Sequence, residues 1–189
     1  MQGAVSWIAV KGAGAASALE TLGFVKARDG EKNPKASFTT LANGWTIICT
    51  LDFGFPTPER MKALSQGGLA VACSSDDRSM GSVARGYQDG SALWSIEHDG
   101  GAQGVYHLSV AGDPPAAWAE IRDAAIREQD GEGGTGSDVD CLFDAPIALA
   151  GALCGYRHDR DWPTAETQSF TLLTTKLRTG GVLGLFKAR

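Results

Sequence analysis

The sequence predicts an α+β fold with a central, mostly antiparallel sheet of about six to seven strands and helices packed on one face. Three observations support this prediction. From 69 to 110, short apolar segments alternate with glycine-containing turns, as hairpin-connected strands require. The segment from Trp45 to Leu51 is apolar at successive positions, as in a strand covered on both faces. The residues around Trp118 repeat at helical spacing, which predicts an amphipathic helix lying on the sheet.

The strongest turn signal is Asp89-Gly90, which suits a two-residue type I′ hairpin loop. This loop places Gln88 opposite Ser91 and Arg85 opposite Trp94. Strand alternation then predicts one core-facing set: Val83, Arg85, Tyr87, Ala92, Trp94 and Ile96. The Arg85 guanidinium would lie near the indole of Trp94, a contact worth roughly 0.5–2 kcal/mol.

The N-terminal part predicts a strand over 5–10 and a short helix over 15–22, with Gly23 following its end. Between them, Gly12 and Gly14 match the start of a dinucleotide-binding fingerprint. Ser17 stands where that fingerprint has its third glycine, and no acidic residue ends a second strand about 20 residues later. We therefore expect no cofactor.

Two more strands, over 37–41 and 45–51, flank the hairpin signal Asn43-Gly44. A helix capped by Thr57 and started by Pro58 runs to about Gln66. Further helices are expected over 116–129 and from an Asp144 N-cap to Gly155. We expect one domain over 1–160, with a flexible glycine-rich loop at 130–138. The C-terminal extension, 161–189, would add a strand over 168–174 and a loose tail.

Composition excludes several classes of protein. A net charge of −5 and a pI near 5.1 argue against nucleic-acid binding, which needs basic surface. No apolar run approaches the roughly 18 residues of a membrane span, and the N-terminus lacks the features of a signal peptide. The four cysteines contain no C-x-x-C pair, which predicts buried thiols. A cytoplasmic protein is expected, and its oligomeric state stays open.

Ionisable residues cluster at Asp76, Asp77, Glu97 and His98. In an enzyme, Glu97 or His98 would be the acid/base, because burial and neighbouring charges can tune a carboxyl or imidazole group toward neutral pH. His158 and Asp159 form a second such pair. The spacing of the three histidines shows no metal-ligand pattern, so no metal is predicted.

No motif selects one activity, so three functions stay open. The preferred one is a non-enzymatic protein-binding module, such as an immunity-like or regulatory protein, because acidic charge favours encounter with a basic partner. The alternatives are a small hydrolase-type enzyme or a small-molecule sensor with a pocket near Glu97 and His98. The candidate ligand or partner surface comprises Phe53, Phe55, Arg85, Trp94 and His158.

Two stretches resemble bacterial proteins of unknown function. The first runs from Leu64 through Cys73 to Asp89-Gly90 and the segment Trp94-Ser95-Ile96-Glu97-His98-Asp99. The second runs from Phe143-Asp144-Ala145-Pro146 to Gly155-Tyr156-Arg157-His158-Asp159. The resemblance covers roughly 5–159 and implies no particular activity.

Overall fold

The computed structural model describes residues 3–160 and 169–176 of the 189-residue chain. Its strands are Val5–Lys11 (β1), Phe24–Lys26 (β2), Ala36–Thr40 (β3), Thr46–Thr50 (β4), Leu69–Asp76 (β5), Gly81–Gln88 (β6), Ser91–Asp99 (β7), Ser109–Gly112 (β8) and Thr171–Thr175 (β9). Its α-helices are Ala15–Thr21 (α1), Pro58–Leu64 (α2), Gly100–Gln103 (α3), Ala117–Gly131 (α4) and Asp144–Cys154 (α5).

The strands form one sheet in the order β2-β9-β3-β4-β1-β5-β6-β7-β8, and each described pair is antiparallel. The α+β class is confirmed, but the sheet has nine strands among the described residues, more than the six to seven predicted. Strand β2 was missed because three residues are too few to show alternation. Strand β9 lies between β2 and β3, where Leu173 pairs with both Lys26 and Ala36.

The meander from β5 to β8 is confirmed, but the predicted register of its hairpin is only half right. Gln88 pairs with Ser91 and Tyr87 with Ala92, as expected. A β-bulge then shifts the pairing, so Trp94 lies opposite Gly86 and not opposite Arg85. The predicted contact of Arg85 with Trp94 is therefore wrong. Trp94 and the residues that alternate with it lie on the opposite face of the sheet from Tyr87.

Helices cover both faces of the sheet, so the prediction of helices on one face is wrong. On one side, the α5 face, α4 and α5 pack with Trp7, Ile47 and Trp94. On the other, the α2 face, α1 and α2 pack with Ile8 and Ile48. Successive residues of β1 and β4 are completely buried, because these central strands have a hydrophobic core on each side. The expected central position of 45–51 is thus confirmed.

Several helix ends follow the sequence rules. The Thr57 hydroxyl accepts a hydrogen bond from Arg60 N at 3.3 Å, and Gly23 and Gly155 follow α1 and α5 with φ of 70° and 82°. Asp144, in contrast, is not an N-cap. A 3-10 turn, Cys141–Phe143, leads directly into α5, and Asp140 Oδ1 accepts from Phe143 N at 3.1 Å.

The segment predicted to be a flexible loop at 130–138 contains the end of α4 and a 3-10 turn, Gly134–Gly136. The buried Gln129 amide donates to the carbonyls of Gly134 and Val139, both at 3.0 Å. The strand predicted over 168–174 corresponds to β9, Thr171–Thr175, and the predicted loose tail lies outside the described residues from 177 on. No helix in the described ranges has the length and apolar character needed to cross a bilayer.

Candidate functional site

Glu97 and His98 are neighbours on β7, so they point to opposite faces of the sheet. Glu97 is exposed on the α2 face, whereas His98 is completely buried on the α5 face. Asp76, at the end of β5, binds the Arg78 guanidinium through both carboxylate oxygens at 2.9 and 2.8 Å. Asp77 is exposed in the turn after β5. The structure therefore does not assemble these four candidates around one cavity.

His98 has hydrogen-bond partners at both ring nitrogens. Nδ1 lies 2.7 Å from the carbonyl oxygen of His107, and Nε2 lies 2.9 Å from Asp140 Oδ2. A carbonyl and a carboxylate both accept hydrogen bonds, so each ring nitrogen faces an acceptor. Asp140 is almost completely buried as well. His98 therefore has no free ring nitrogen to offer a substrate, and it ties β7 to the turn before α5.

The predicted aromatic surface residues also contact the protein itself. Phe55 is buried and stacks on Phe24 at 5.9 Å, with the Arg60 guanidinium 4.4 Å above its ring. Phe53, half-buried, accepts a hydrogen bond at its carbonyl from Ser74 Oγ at 2.9 Å. Phe55 thus caps the edge of the core on the α2 face. Trp94 is buried on the opposite side, and Arg85 is half-buried on the α2 face.

The remaining candidate, His158, lines a cavity of about 370 Å³, which we call the His158 pocket. Four parts of the chain form it: Gly3 before β1, the end of β5 with the turn after it, the start of α5 with Phe143 before it, and the segment after α5. Its lining includes Ser75, Asp77, Phe143, Asp144, Ile147, His158 and Asp159. The pocket is therefore assembled from residues more than 80 positions apart in the chain.

At the floor of the pocket, Ser75 Oγ lies 3.2 Å from His158 Nε2. His158 Nδ1 is buried and has no hydrogen-bond partner among the described residues. Burial lowers the pKa of His158 below its usual 6.5, since an imidazolium there would be poorly solvated. The neutral imidazole therefore predominates at neutral pH.

Arg157 fixes one wall of the pocket. Its guanidinium contacts the Asp144 carboxylate on α5 and both oxygens of Asp159, at 3.0 and 2.6 Å. The side chain is only 11% exposed. Hydrogen bonds from Arg157 lower the pKa of Asp159, so this carboxylate is ionised at neutral pH. These contacts of Arg157 join the start of α5 to the segment that carries His158.

The His158 pocket is negatively charged. Asp77, Asp144 and Asp159 contribute three negative charges, the Arg157 guanidinium contributes one positive charge, and neutral His158 contributes none. The sum is −2. This local charge is part of the overall charge of −5 and has the same sign, so the pocket favours cationic groups over anionic ones.

Other chemistry has less support in the described residues. Burial raises the pKa of Cys49 to about 11 and that of Cys154 to about 12, so these thiols are protonated and weakly nucleophilic at neutral pH. Across residues 3–160 and 169–176, no group of three or more His, Cys, Asp or Glu side chains is placed to hold a metal ion.

No family model, curated protein or solved structure matches this chain. The resemblance to bacterial proteins of unknown function therefore stays a prediction.

Sequence reasoning identified His158 but missed its main partners, Ser75, Asp144 and Arg157. One signal was present: Arg157-His158-Asp159 places an arginine, a histidine and a carboxylate two residues after Gly155, the glycine that ends α5. Nothing in the sequence marked Ser75 of β5 as a partner of His158, because Ser75 is one of several small polar residues near a strand end.

Proposed function

We propose that this protein is a non-enzymatic binding module of the bacterial cytoplasm, and that it binds a basic protein partner at the His158 pocket. The observation that carries the proposal is a cavity of about 370 Å³ that is lined by three carboxylates beside the apolar side chains of Phe143 and Ile147. Such a cavity can accept the end of a basic side chain, and the surrounding acidic surface complements a basic partner.

Electrostatics favours this interaction over catalysis of acyl transfer. At 4 Å, two unit charges interact by about 4 kcal/mol at an effective dielectric constant of 20. A net pocket charge of −2 therefore stabilises a bound cation and destabilises the oxyanion of an acyl-transfer transition state. The overall negative charge also speeds encounter with a basic partner, an effect that weakens as salt is added.

The test compares two charge reversals that change the net charge equally. Asp77→Lys changes the pocket rim, whereas Glu120→Lys changes an exposed position on α4 that does not line the pocket. Each tagged variant and the wild type serve as bait in a lysate of the host, and captured proteins are identified by mass spectrometry. Affinity for the purified partner is then measured by calorimetry at about 50 and 300 mM salt.

We expect the wild type to retain a basic protein, Asp77→Lys to weaken its binding at least about tenfold, and Glu120→Lys to change it less than about twofold. Equal effects of the two reversals would place the interaction elsewhere. Failure of the wild type to retain any basic partner would remove the proposal.

A second candidate, hydrolase-type chemistry, is favoured by one observation: the 3.2 Å contact between Ser75 Oγ and His158 Nε2. A neutral histidine at this distance can act as the base for a serine nucleophile. The Ser75 side chain is buried, however, and the pocket charge opposes an oxyanion. A fluorophosphonate probe decides between the candidates. Labelling of Ser75 that is lost in Ser75→Ala and His158→Gln would support hydrolysis, and an unlabelled wild type would exclude this nucleophile.

A further inference from the structure

A second cavity, on the α5 face of the sheet, differs from the His158 pocket in its chemistry. It has a volume of about 260 Å³, and we call it the Cys49 groove. Val5, Pro34, Ala36, Leu51 and Leu172 supply most of its lining, and among residues 3–160 and 169–176 Lys35 is the one charged residue that lines it. The groove is thus apolar with a single cation.

The register of the sheet explains how the floor of the groove forms. Leu172 on β9 pairs with Ser37 on β3, and Ser37 pairs with Cys49 on β4. Paired residues point to the same face, so these side chains form a row across three strands. Cys49 lies at the end of this row nearest the core, where its Sγ is hydrogen-bonded to Tyr156 Oη at 3.2 Å.

Two leucines at the groove are unusually exposed. Leu51 is 85% exposed and Leu172 is 48% exposed. Within the described residues, the main contacts of α5 with the sheet are to β5, β6 and β7, not to β3, β4 or β9. A concave apolar surface with exposed leucines at its edge is typical of a binding site.

The charge of Lys35 selects the type of occupant. Its side chain is exposed and forms no ion pair with any described residue. A ligand whose apolar part lies in the groove would therefore place an anionic end group within reach of the Lys35 ammonium. A volume of about 260 Å³ lies just below the usual range of small-molecule pockets, roughly 300–1,000 Å³, which indicates a short ligand.

We propose that the Cys49 groove binds a medium-chain acyl carboxylate, with the hydrocarbon chain between Leu51 and Leu172 and the carboxylate at Lys35. This site is independent of the His158 pocket and of the function proposed for it. The complex would be stabilised by burial of the ligand's hydrocarbon chain and by one exposed ion pair between its carboxylate and Lys35.

The test titrates the full-length protein with butyrate, hexanoate, octanoate and decanoate, observed by amide chemical shifts in NMR spectra. We expect shifts at Ser37, Thr50 and Leu172, and affinity that rises up to about fourfold per added methylene until the groove is full. Octylamine, which has the same chain and the opposite charge, should bind several-fold more weakly than octanoate.

Two pairs of variants give controls at exposed positions, where folding is not at risk. Lys35→Gln should weaken octanoate binding about two- to fivefold and remove the preference over octylamine, whereas Lys32→Gln, in the same loop but outside the groove, should not. Leu51→Ser should weaken binding at least about threefold, whereas Leu93→Ser on β7 should leave it unchanged.

Three results would overturn the proposal. One is affinity that does not depend on chain length, and another is equal binding of octylamine and octanoate. The third is a doubled molecular mass in light scattering with octanoate excluded, because the groove would then be an interface between two copies of the chain.

Discussion

Replacement of Gly86 by alanine tests the register of the β6–β7 hairpin. A Cβ atom at this position would lie 2.8 Å from Trp94 Cζ2 and closer still to the indole nitrogen, although nonbonded carbons prefer about 3.5–4.0 Å. The buried indole must therefore move by about 1 Å into a packed core. Such overpacking typically costs about 1–3 kcal/mol.

The loss of glycine flexibility in the unfolded chain offsets about 0.4–1 kcal/mol of this cost. We therefore expect Gly86→Ala to lower the free energy of unfolding by about 1–2 kcal/mol. With a urea m-value near 2 kcal/mol/M, the unfolding midpoint should fall by about 0.5–1 M. Urea titration followed by tryptophan fluorescence measures this shift.

Two comparisons make the test specific. Gly131→Ala, at the end of α4 where a Cβ meets nothing within 4 Å, should be neutral or stabilising by up to about 1 kcal/mol. In a Trp94→Phe background, Gly86→Ala should cost less, because the smaller ring leaves room. If Gly86→Ala were as stable as the wild type, or cost the same in both backgrounds, the pairing of Gly86 with Trp94 would be wrong.

Three further predictions concern titration, the buried contact between His98 and Asp140, and the thiols. Because the folded pKa of His158 lies below the unfolded value of 6.5, the unfolded state binds the proton first, and stability should fall as pH drops below about 6.5. His158→Gln should reduce this dependence, measured by urea unfolding between pH 5 and pH 7.5. Asp140→Ala, which removes the hydrogen-bond partner of His98 Nε2 and of Phe143 N, should cost about 2–3 kcal/mol because buried polar groups are left without a partner, whereas Asp123→Ala, at an exposed pair with Arg122, should cost less than about 1 kcal/mol. With a thiol reagent at pH 8, Cys141 should react faster than Cys49, whose pKa is raised by burial to about 11, and the buried Cys73 and Cys154 should react only on unfolding.

Each of these predictions has a result that contradicts it. An NMR titration that gives His158 a pKa of 6.5 or higher would remove the pH effect. Equal stability of Asp140→Ala and Asp123→Ala would mean that the His98 contact contributes little. Modification of Cys49 in the folded protein as fast as that of Cys141 would show that burial does not protect its thiol.

Local patterns in the sequence predicted the parts of the fold that depend on neighbouring residues. Asp89-Gly90 forms the expected hairpin, with Asp89 at φ 48° and Gly90 at φ 79°. Thr57 and Pro58 begin α2 as expected, and Gly155 follows α5. These features are predictable because a turn or a cap is determined by the backbone preferences of a few adjacent residues.

The β-bulge before Trp94 could not be predicted in the same way. Alternation gives the face of a residue only if no extra residue interrupts the strand. In this hairpin the Trp94 indole packs over Gly86 on the neighbouring strand, at the position where the register shifts. Because of this one extra residue, Trp94 and His98 lie on the opposite face of the sheet from Arg85, whereas uninterrupted alternation predicted that Arg85 and Trp94 share a face.

The candidate site shows the same difference between features that depend on neighbouring residues and features that depend on residues far apart in the chain. The sequence by itself determined the four-strand meander, the central position of β4, the main turns and helices, and the acidic charge, since all of these follow from composition or from short patterns. Only the tertiary structure decided that helices cover both faces, that β9 lies between β2 and β3, and that Ser75 meets His158 beside Asp144. The physical reason is that these contacts join residues far apart in the chain, and their free energy depends on packing and charge in three dimensions, which local preferences do not encode.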